Sequence, residues 1–223
     1  VYEEEFSCRD GFLFNDGSDK IAFWEIDANG VKDFYMINNT DSIYPFNIPV
    51  EYPKVGEPLT PARIGVIDLN NNKITWMQIP GESNKFYLPR MTWVPNEDKL
   101  MVQQLNRKQN HSKYYMVDAI SGVSSLLMEE KDDAWIDVRS SWPYQDQAGW
   151  KFIKNGKEFL YTTEKDGWSH IYRYNIKNKK EYLMTKGEYD VVKPLAYNEK
   201  NKEVYFIASP TNPTERYLYK SSE

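Results

Sequence analysis

Apolar residues along this chain form short alternating or continuous runs, and tight polar turns separate these runs. Four stretches repeat one order, in which an apolar pair precedes a polar turn and then an apolar strand. The turns NDG and KNG contain Asp-Gly and Asn-Gly, which supply the positive φ angles that a tight hairpin needs. The repeated stretches are FLFNDGSDKIAFWEID (12–27), MTWVPNEDKLMVQQLNR (91–107), WKFIKNGKEFLYTTEKDGW (150–168) and PLAYNEKNKEVYFIASP (194–210).

Further strands are predicted after each repeated stretch. The third strands are DFYMIN (33–38), KYYMVD (113–118), HIYRYN (170–175) and RYLYK (216–220). Fourth strands follow in two copies, at VSSLLME (123–129) and KEYLMT (180–185). In the first copy a long insertion intervenes, and the sheet is completed by ARIGVIDL (62–69) and KITWMQI (73–79).

These patterns predict an all-β fold, a partial β-propeller of about four blades with four antiparallel strands each. No stretch sustains the 3.6-residue apolar period of a long helix. Four-stranded units that recur every ~40–50 residues are typical of propeller blades. A β-sandwich is the competing all-β interpretation, but sandwich strands need not resemble one another as these copies do. We therefore interpret residues 1–223 as one propeller segment.

The first predicted blade carries a Pro-rich insertion at 40–61. Its stretch YPFNIPVEYPKVGEP (44–58) lacks several backbone donors, so it is not expected in a central strand. We expect an arm or loop that crosses the surface, and a plain connector is an equal alternative.

Composition and charge exclude several classes of function. The 223 residues carry a net charge of −5, which disfavours nucleic acid as a main partner. No apolar run reaches the ~20 residues of a membrane span. Cys8 is the sole cysteine, and His111 and His170 lie far apart without clustered metal ligands. We expect no metal site and no cofactor. His170 is interpreted as structural and His111 as a loop residue.

Three glutamates, Glu3, Glu4 and Glu5, stand in a row near the start of the chain. A solvated acidic turn is one interpretation of such a charge run. The other is the wall of a pocket that binds a cation.

Several motifs follow one another in an order that resembles a known family. The chain resembles the N-terminal β-propeller of the dipeptidyl peptidase IV family, in the prolyl oligopeptidase group of serine peptidases. The resemblance spans essentially the whole chain, although earlier blades and the α/β-hydrolase domain are expected to lie outside it. The motifs are YEEEF (2–6), YPKVGEP (52–58), QLNRKQN (104–110), TEKDGWSHIYRY (163–174) and PTERYLY (213–219).

The resemblance implies specific site residues. In the family a glutamate pair holds the free α-amino group of the peptide substrate, and by motif position this pair is Glu4 and Glu5. Glu3 is then expected to be solvated. Trp135, in AWIDV (134–138), is a candidate pocket wall, with simple packing as its alternative. Arg107 is expected to form an ion pair between blades.

Function follows as an expectation from the same resemblance. The chain contains no G-x-S-x-G nucleophile elbow, so this segment alone is not expected to be an enzyme. It is expected to gate substrates and recognise the N-terminal amine in a periplasmic or extracellular dipeptidyl peptidase that releases X-Pro or X-Ala dipeptides. Its expected partners are the substrate N-terminus, its own hydrolase domain, and a second copy bound through open blade faces.

Two other functions remain as alternatives to the peptidase module. One is a non-catalytic propeller that serves as a protein-interaction scaffold. The other is a carbohydrate-active propeller, which would need carboxylates converging from several blades.

Overall fold

The alternating apolar runs form strands that the predicted polar turns connect. The computed structural model describes residues 2, 5–8, 10–138 and 149–222, and every regular element in these ranges is a β-strand. No helix that could span a membrane is found in this part of the chain. The strands are β1 (Phe12–Phe14), β2 (Lys20–Ile26), β3 (Asp33–Asn38), β4 (Phe46–Glu51), β5 (Ala62–Asp68), β6 (Lys73–Trp76), β7 (Phe86–Trp93), β8 (Lys99–Asn106), β9 (His111–Asp118), β10 (Ser124–Lys131), β11 (Trp150–Ile153), β12 (Glu158–Thr163), β13 (His170–Asn175), β14 (Lys180–Leu183), β15 (Val191–Asn198), β16 (Glu203–Ala208) and β17 (Tyr217–Ser222).

The strands assemble into antiparallel sheets in the predicted blade order. The first sheet has the order β1-β2-β5-β6, the second runs from β7 to β10, and the third runs from β11 to β14. The fourth sheet contains β15, β16 and β17 within the described residues. Asn96 and Asn155 adopt φ angles of 58° and 53° in the polar turns, as left-handed turn residues. The predicted all-β fold with about four blades is confirmed.

The insertion in the first blade differs from its prediction. DFYMIN was expected as the third strand of this blade, but β3 pairs with β4 in a separate two-stranded sheet. The third strand is β5, which pairs with β2 from Lys20 opposite Asp68 to Ile26 opposite Ala62. The prediction for β3 is therefore wrong. Its apolar run is typical of a buried blade strand, but five of its six residues are exposed.

The Pro-rich stretch contributes β4 to this hairpin. All six residues of β4 are exposed, and Pro49 lies opposite Tyr35. A strand with one neighbour tolerates proline, because one of its edges needs no backbone donor. The excursion from the blade thus contains both β3 and β4.

Side chains on opposite faces of each middle strand hold the sheets together. Leu100 and Val102 on β8 pack with residues of the first sheet, whereas Met101 between them packs with the third. On β12, Phe159 packs with the second sheet and Leu160 with the fourth. All five side chains are completely buried. The strand period of two therefore places neighbouring residues in two different cores.

Two indole groups and one glycine turn join the first sheet to the second. The Nε1 of Trp24 donates to the carbonyl of Leu88 at 2.9 Å, and Trp93 Nε1 donates to Leu13 at 3.1 Å. At the outer edge, the backbone nitrogen of Gln78 donates to the carbonyl of Gly122 at 2.8 Å. The backbone of the second sheet approaches that of the first so closely at this point that residue 122 must be a glycine.

One half-buried carboxyl group lies at the seam between the second and third sheets. Glu130 on β10 accepts a hydrogen bond from the hydroxyl of Thr163 at the end of β12. Burial raises the pKa of Glu130, and the Thr163 bond and nearby Lys165 oppose this effect. The adjacent Glu129 faces outward, where a hydrogen bond from His111 lowers its pKa. The two neighbours thus experience opposite environments.

We predict that Gly122→Ala strongly destabilises the chain. Gly122 has a φ angle of 76°, and an added Cβ would lie 2.3 Å from the carbonyl oxygen of Trp76. Gly167 is the matched control, because its φ is 94° and an added Cβ meets nothing within 4 Å. Urea unfolding should show a loss of about 1–2 kcal/mol for Gly167→Ala, from backbone strain alone. A loss for Gly122→Ala no larger than that would contradict the steric argument.

We also predict a pH-dependent gain of stability in Glu130→Gln. A carboxyl group whose pKa is raised in the folded state loses stability as the pH rises through that pKa. The uncharged glutamine avoids this loss and can still accept the Thr163 hydrogen bond. Its free energy of unfolding should exceed that of the wild type at pH 7, and the difference should shrink below the ordinary glutamate value of 4.5.

Glu129→Gln provides the control of opposite sign for that measurement. Its carboxylate has a lowered pKa, so its contribution to stability is present above the ordinary value and is lost as the pH falls. Glu129→Gln should therefore be less stable than the wild type at pH 7. Parallel pH profiles for the two variants would refute the assignment of Glu130 to a half-buried seam that raises its pKa.

Candidate functional site

The acidic turn near the start of the chain is anchored by its two aromatic residues. Tyr2 and Phe6 are buried and make edge-to-face contacts with each other and with Tyr87. The backbone nitrogen of Leu88 donates to the Tyr2 hydroxyl at 3.1 Å. The backbone nitrogen of Cys8 donates to the Tyr2 carbonyl at 2.8 Å, which closes the turn. The turn is thus attached to β7 of the second sheet.

Glu5 projects from this anchored turn to the surface. The side-chain amide of Gln109 donates to Glu5 Oε1 at 3.1 Å. Glu5 also adds to the raised pKa of Tyr87, for which burial is the main cause and Arg107 the opposing one. Glu4, the other candidate of the pair, and Glu3 lie outside the described residues.

The Trp135 segment lies along the turn between β8 and β9. The backbone nitrogen of Asp132 donates to the carbonyl of Asn110 at 3.1 Å, and that of Ile136 donates to the carbonyl of Gln109 at 2.6 Å. Ile136 is buried with Tyr2 in one small core. The Trp135 side chain is 59 % exposed, so packing does not account for it. The structure therefore brings Glu5 and Trp135 to one side of the second sheet, with Gln109 bonded to both segments.

The side chain of Arg90 on β7 bonds to both the acidic turn and the segment that carries Trp135. Its buried guanidinium donates through Nη1 to the carbonyls of Phe6 and Pro89, and through Nη2 to that of Val138 at 3.4 Å. Burial lowers the pKa of Arg90 to about 10, so the group remains protonated at neutral pH. Sequence reasoning missed Arg90, although a lone charge inside the apolar run FYLPRMTW (86–93) was a usable signal.

A narrow cleft of about 40 Å³ opens beside Trp135, between the second and third sheets. Its wall includes the half-buried Glu130 and the side chain of Lys165. The ammonium of Lys165 pairs with Glu181 and lies 4.1 Å from the centre of the Tyr172 ring. Trp135 therefore forms the outer wall of a polar cleft whose lysine already has a partner.

The two histidines have structural surroundings. His170 is buried, and its Nδ1 lies 2.9 Å from Asp166, which also accepts a hydrogen bond from Tyr172 at 2.8 Å. Burial opposes ionisation of Asp166, but these hydrogen bonds lower its pKa overall. His111 begins β9 and was wrongly expected in a loop. Within the described ranges, no three metal-ligating side chains cluster.

Arg107 contacts the insertion rather than a carboxylate among the described residues. Its guanidinium donates to the backbone carbonyl of Glu57. With Tyr2 and Tyr87 it lines a cavity of about 250 Å³ whose other wall is the stretch 53–60. The base of the insertion therefore reaches the back of the acidic turn.

The arrangement combines a surface carboxylate, that of Glu5, with an exposed aromatic side chain, that of Trp135. The side-chain partner of Glu5 within the described ranges is the neutral amide of Gln109. An ammonium group with three donors can bond to such a carboxylate. The exposed indole of Trp135 offers a flat apolar surface to a neighbouring side chain.

Comparisons with known proteins identify the family of this chain. The model of the dipeptidyl peptidase IV (DPP IV) N-terminal region matches residues 1–222. The crystal structure of Porphyromonas gingivalis dipeptidyl peptidase 4 superimposes with a TM-score of 0.88 at 29 % identity, covering 99 % of this chain and 30 % of that one.

Two curated relatives extend the comparison. A probable dipeptidyl peptidase 4 of Emericella nidulans is 26 % identical over 100 % of this chain and 30 % of its own length. The inactive dipeptidyl peptidase 10 of Rattus norvegicus is 26 % identical over 69 % of this chain and 20 % of its own length. The chain therefore spans about a third or less of these relatives. Because the family model covers nearly every residue, the chain belongs to the family of the dipeptidyl peptidase IV N-terminal region.

Proposed function

We propose that this chain is the substrate-gating and amine-recognition part of a serine dipeptidyl peptidase. Glu5, together with Glu4, binds the free α-ammonium group of a peptide, and Trp135 borders the pocket for its first side chains. The observation that carries the proposal is the hydrogen bond of Gln109 to Glu5, on a turn that two buried aromatic residues anchor.

The chemistry of an N-terminal amine suits this site. An α-ammonium has a reference pKa of about 8 and three N–H donors, so two carboxylates can share it. Two adjacent carboxylates repel each other, and a bound cation relieves that repulsion. An internal peptide bond offers neither the charge nor the donors. The site thus favours chain ends.

A fixed amine site also sets the position of cleavage. If the amine is held at Glu4 and Glu5, a nucleophile at a constant distance reaches only one peptide bond. The result is release of dipeptides, of the X-Pro or X-Ala type that the family resemblance implies. The nucleophile belongs to a hydrolase domain outside this chain. We also propose a periplasmic or extracellular location, because the resemblance to the dipeptidyl peptidase IV family implies it.

A non-catalytic scaffold is the second candidate function. The similarity to a relative named inactive dipeptidyl peptidase 10 favours it, because that relative is 26 % identical over 69 % of this chain. A scaffold has no need of an amine site. A G-x-S-x-G elbow in the remainder of the gene would favour the peptidase, and its absence would favour the scaffold.

We predict that Glu5→Gln and Glu4→Gln in the full-length protein sharply reduce kcat/KM for a chromogenic Gly-Pro substrate. A lost hydrogen bond between charged groups is worth about 1.5–3 kcal/mol, which corresponds to roughly 10- to 150-fold. Glutamine keeps the size of the side chain, so the loss reports the charge. Steady-state kinetics at pH 7.5 would measure it.

Glu3→Gln and an N-acetylated substrate serve as controls. Glu3→Gln should change kcat/KM much less, because its carboxylate is expected to face solvent. The acetylated substrate should be poor for the wild type and should lose little further in Glu5→Gln. If Glu4→Gln and Glu5→Gln behave as Glu3→Gln does, the triplet is only a solvated acidic turn.

We also predict that residues 1–223 alone do not hydrolyse the Gly-Pro substrate. The chain has no nucleophile elbow, so it lacks the group that would attack the peptide carbonyl. The measurement is release of the chromophore by purified chain, with the full-length protein as positive control. Turnover that copurifies with the chain and resists further purification would contradict the assignment.

A further inference from the structure

Gln109 occupies a turn whose backbone conformation is unusual for its residue type. It lies between β8 and β9 with a φ angle of 56°, in the left-handed region that non-glycine residues seldom adopt. Its backbone nitrogen donates to the carbonyl of Asn106 at 2.9 Å. The side chain of Asn106 accepts hydrogen bonds from the backbone nitrogens of Asn110 and His111, both at 3.0 Å. The turn therefore holds Gln109 in a fixed orientation.

From this orientation Gln109 contacts both candidate segments. Its side-chain Nε2 donates to Glu5 Oε1 at 3.1 Å, and its carbonyl accepts from the backbone nitrogen of Ile136 at 2.6 Å. One residue thus joins the acidic turn to the segment that carries Trp135. We propose that Gln109 is a positioning residue that sets the Glu5 carboxylate at a fixed place relative to the Trp135 wall.

The inference rests on the proposed function, and the chemistry of the amide supports it. A neutral donor orients a carboxylate without cancelling its charge, whereas a lysine or arginine would occupy the place of the substrate ammonium. An acidic residue would repel Glu5. Arg107, in the same turn, donates to the carbonyl of Glu57 and so is directed to the insertion. The turn therefore presents an amide to Glu5, and its arginine donates its hydrogen bond to the insertion.

The test uses Gln109→Leu and Gln109→Lys in the full-length protein. Leucine has a similar size and no donor, and neither leucine nor lysine is β-branched, so the left-handed backbone is affected alike. We expect Gln109→Leu to raise KM for the Gly-Pro substrate about tenfold with kcat little changed, since an oriented charged hydrogen bond is lost. Gln109→Lys should lose more, because its ammonium pairs with Glu5 and competes with the substrate amine.

Three controls separate positioning from general damage to the fold. Lys108→Leu alters the preceding residue of the same turn and should leave KM unchanged. The rate of labelling by a fluorophosphonate, which reacts with a catalytic serine and has no amine, should be unaffected by Gln109→Leu. In a Glu5→Gln background, Gln109→Leu should add less than about twofold, because the two residues act through one contact.

The outcomes are distinct. The inference is overturned if Gln109→Leu matches Lys108→Leu in KM, if it slows fluorophosphonate labelling as much as peptide turnover, or if its effect is fully additive with Glu5→Gln. If Glu5→Gln leaves kcat/KM for the Gly-Pro substrate unchanged, the proposed function is wrong, and so is the role of Gln109. If Glu5→Gln is impaired and Gln109→Leu is not, only the role of Gln109 is wrong.

Discussion

Burial of the middle strands on both faces is the constraint on which the rest of the structure depends. On β8, Leu100 and Val102 face one neighbouring sheet and Met101 faces the other, and none of the three is exposed. A sheet with two apolar faces needs a neighbour on each side, as the second and third sheets have here. Stacking buries both faces of these two inner sheets and aligns the ends of their strands. The turns at those ends then form the surface that carries the candidate site.

At that surface the second sheet supports segments that are far apart in the chain. Arg90 on β7 bonds to the carbonyls of Phe6 and Val138, and Gln109 after β8 bonds to Glu5 and to Ile136. A small core that includes Phe6 and Ile136 lies between these contacts. A functional group on an irregular turn is precise only when rigid elements hold it, and here a sheet does so.

The supporting contacts share an electrostatic property. The buried guanidinium of Arg90 is satisfied by backbone carbonyls, and Glu5 is oriented by the amide of Gln109. Ion pairs in the same positions would have neutralised the carboxylate. In the part of the chain that the structure describes, the hydrogen-bond partner of Glu5 is thus neutral, which is compatible with the proposed recognition of a cationic group.

The sequence by itself determined the blade strands and the blade order, but not strand β4 in the Pro-rich stretch. Alternation over residues 99–106 and 158–163, together with turns such as KNGKE, was sufficient, because strand period and turn chemistry are local properties. The acidic triplet and its motif also made Glu5 a candidate, because a run of carboxylates is visible in the residue order alone. Local pattern was misleading for DFYMIN, since an apolar run does not state which strand it pairs with.

Only the tertiary structure decided the partners of these elements. It placed β3 beside β4, left Trp135 exposed while Ile136 was buried, and brought Gln109 within hydrogen-bonding distance of Glu5, 104 positions away in the chain. Such contacts depend on how the sheets stack and on the direction of each turn. Neither property is encoded in the residues near the contact, because both follow from packing the whole set of blades.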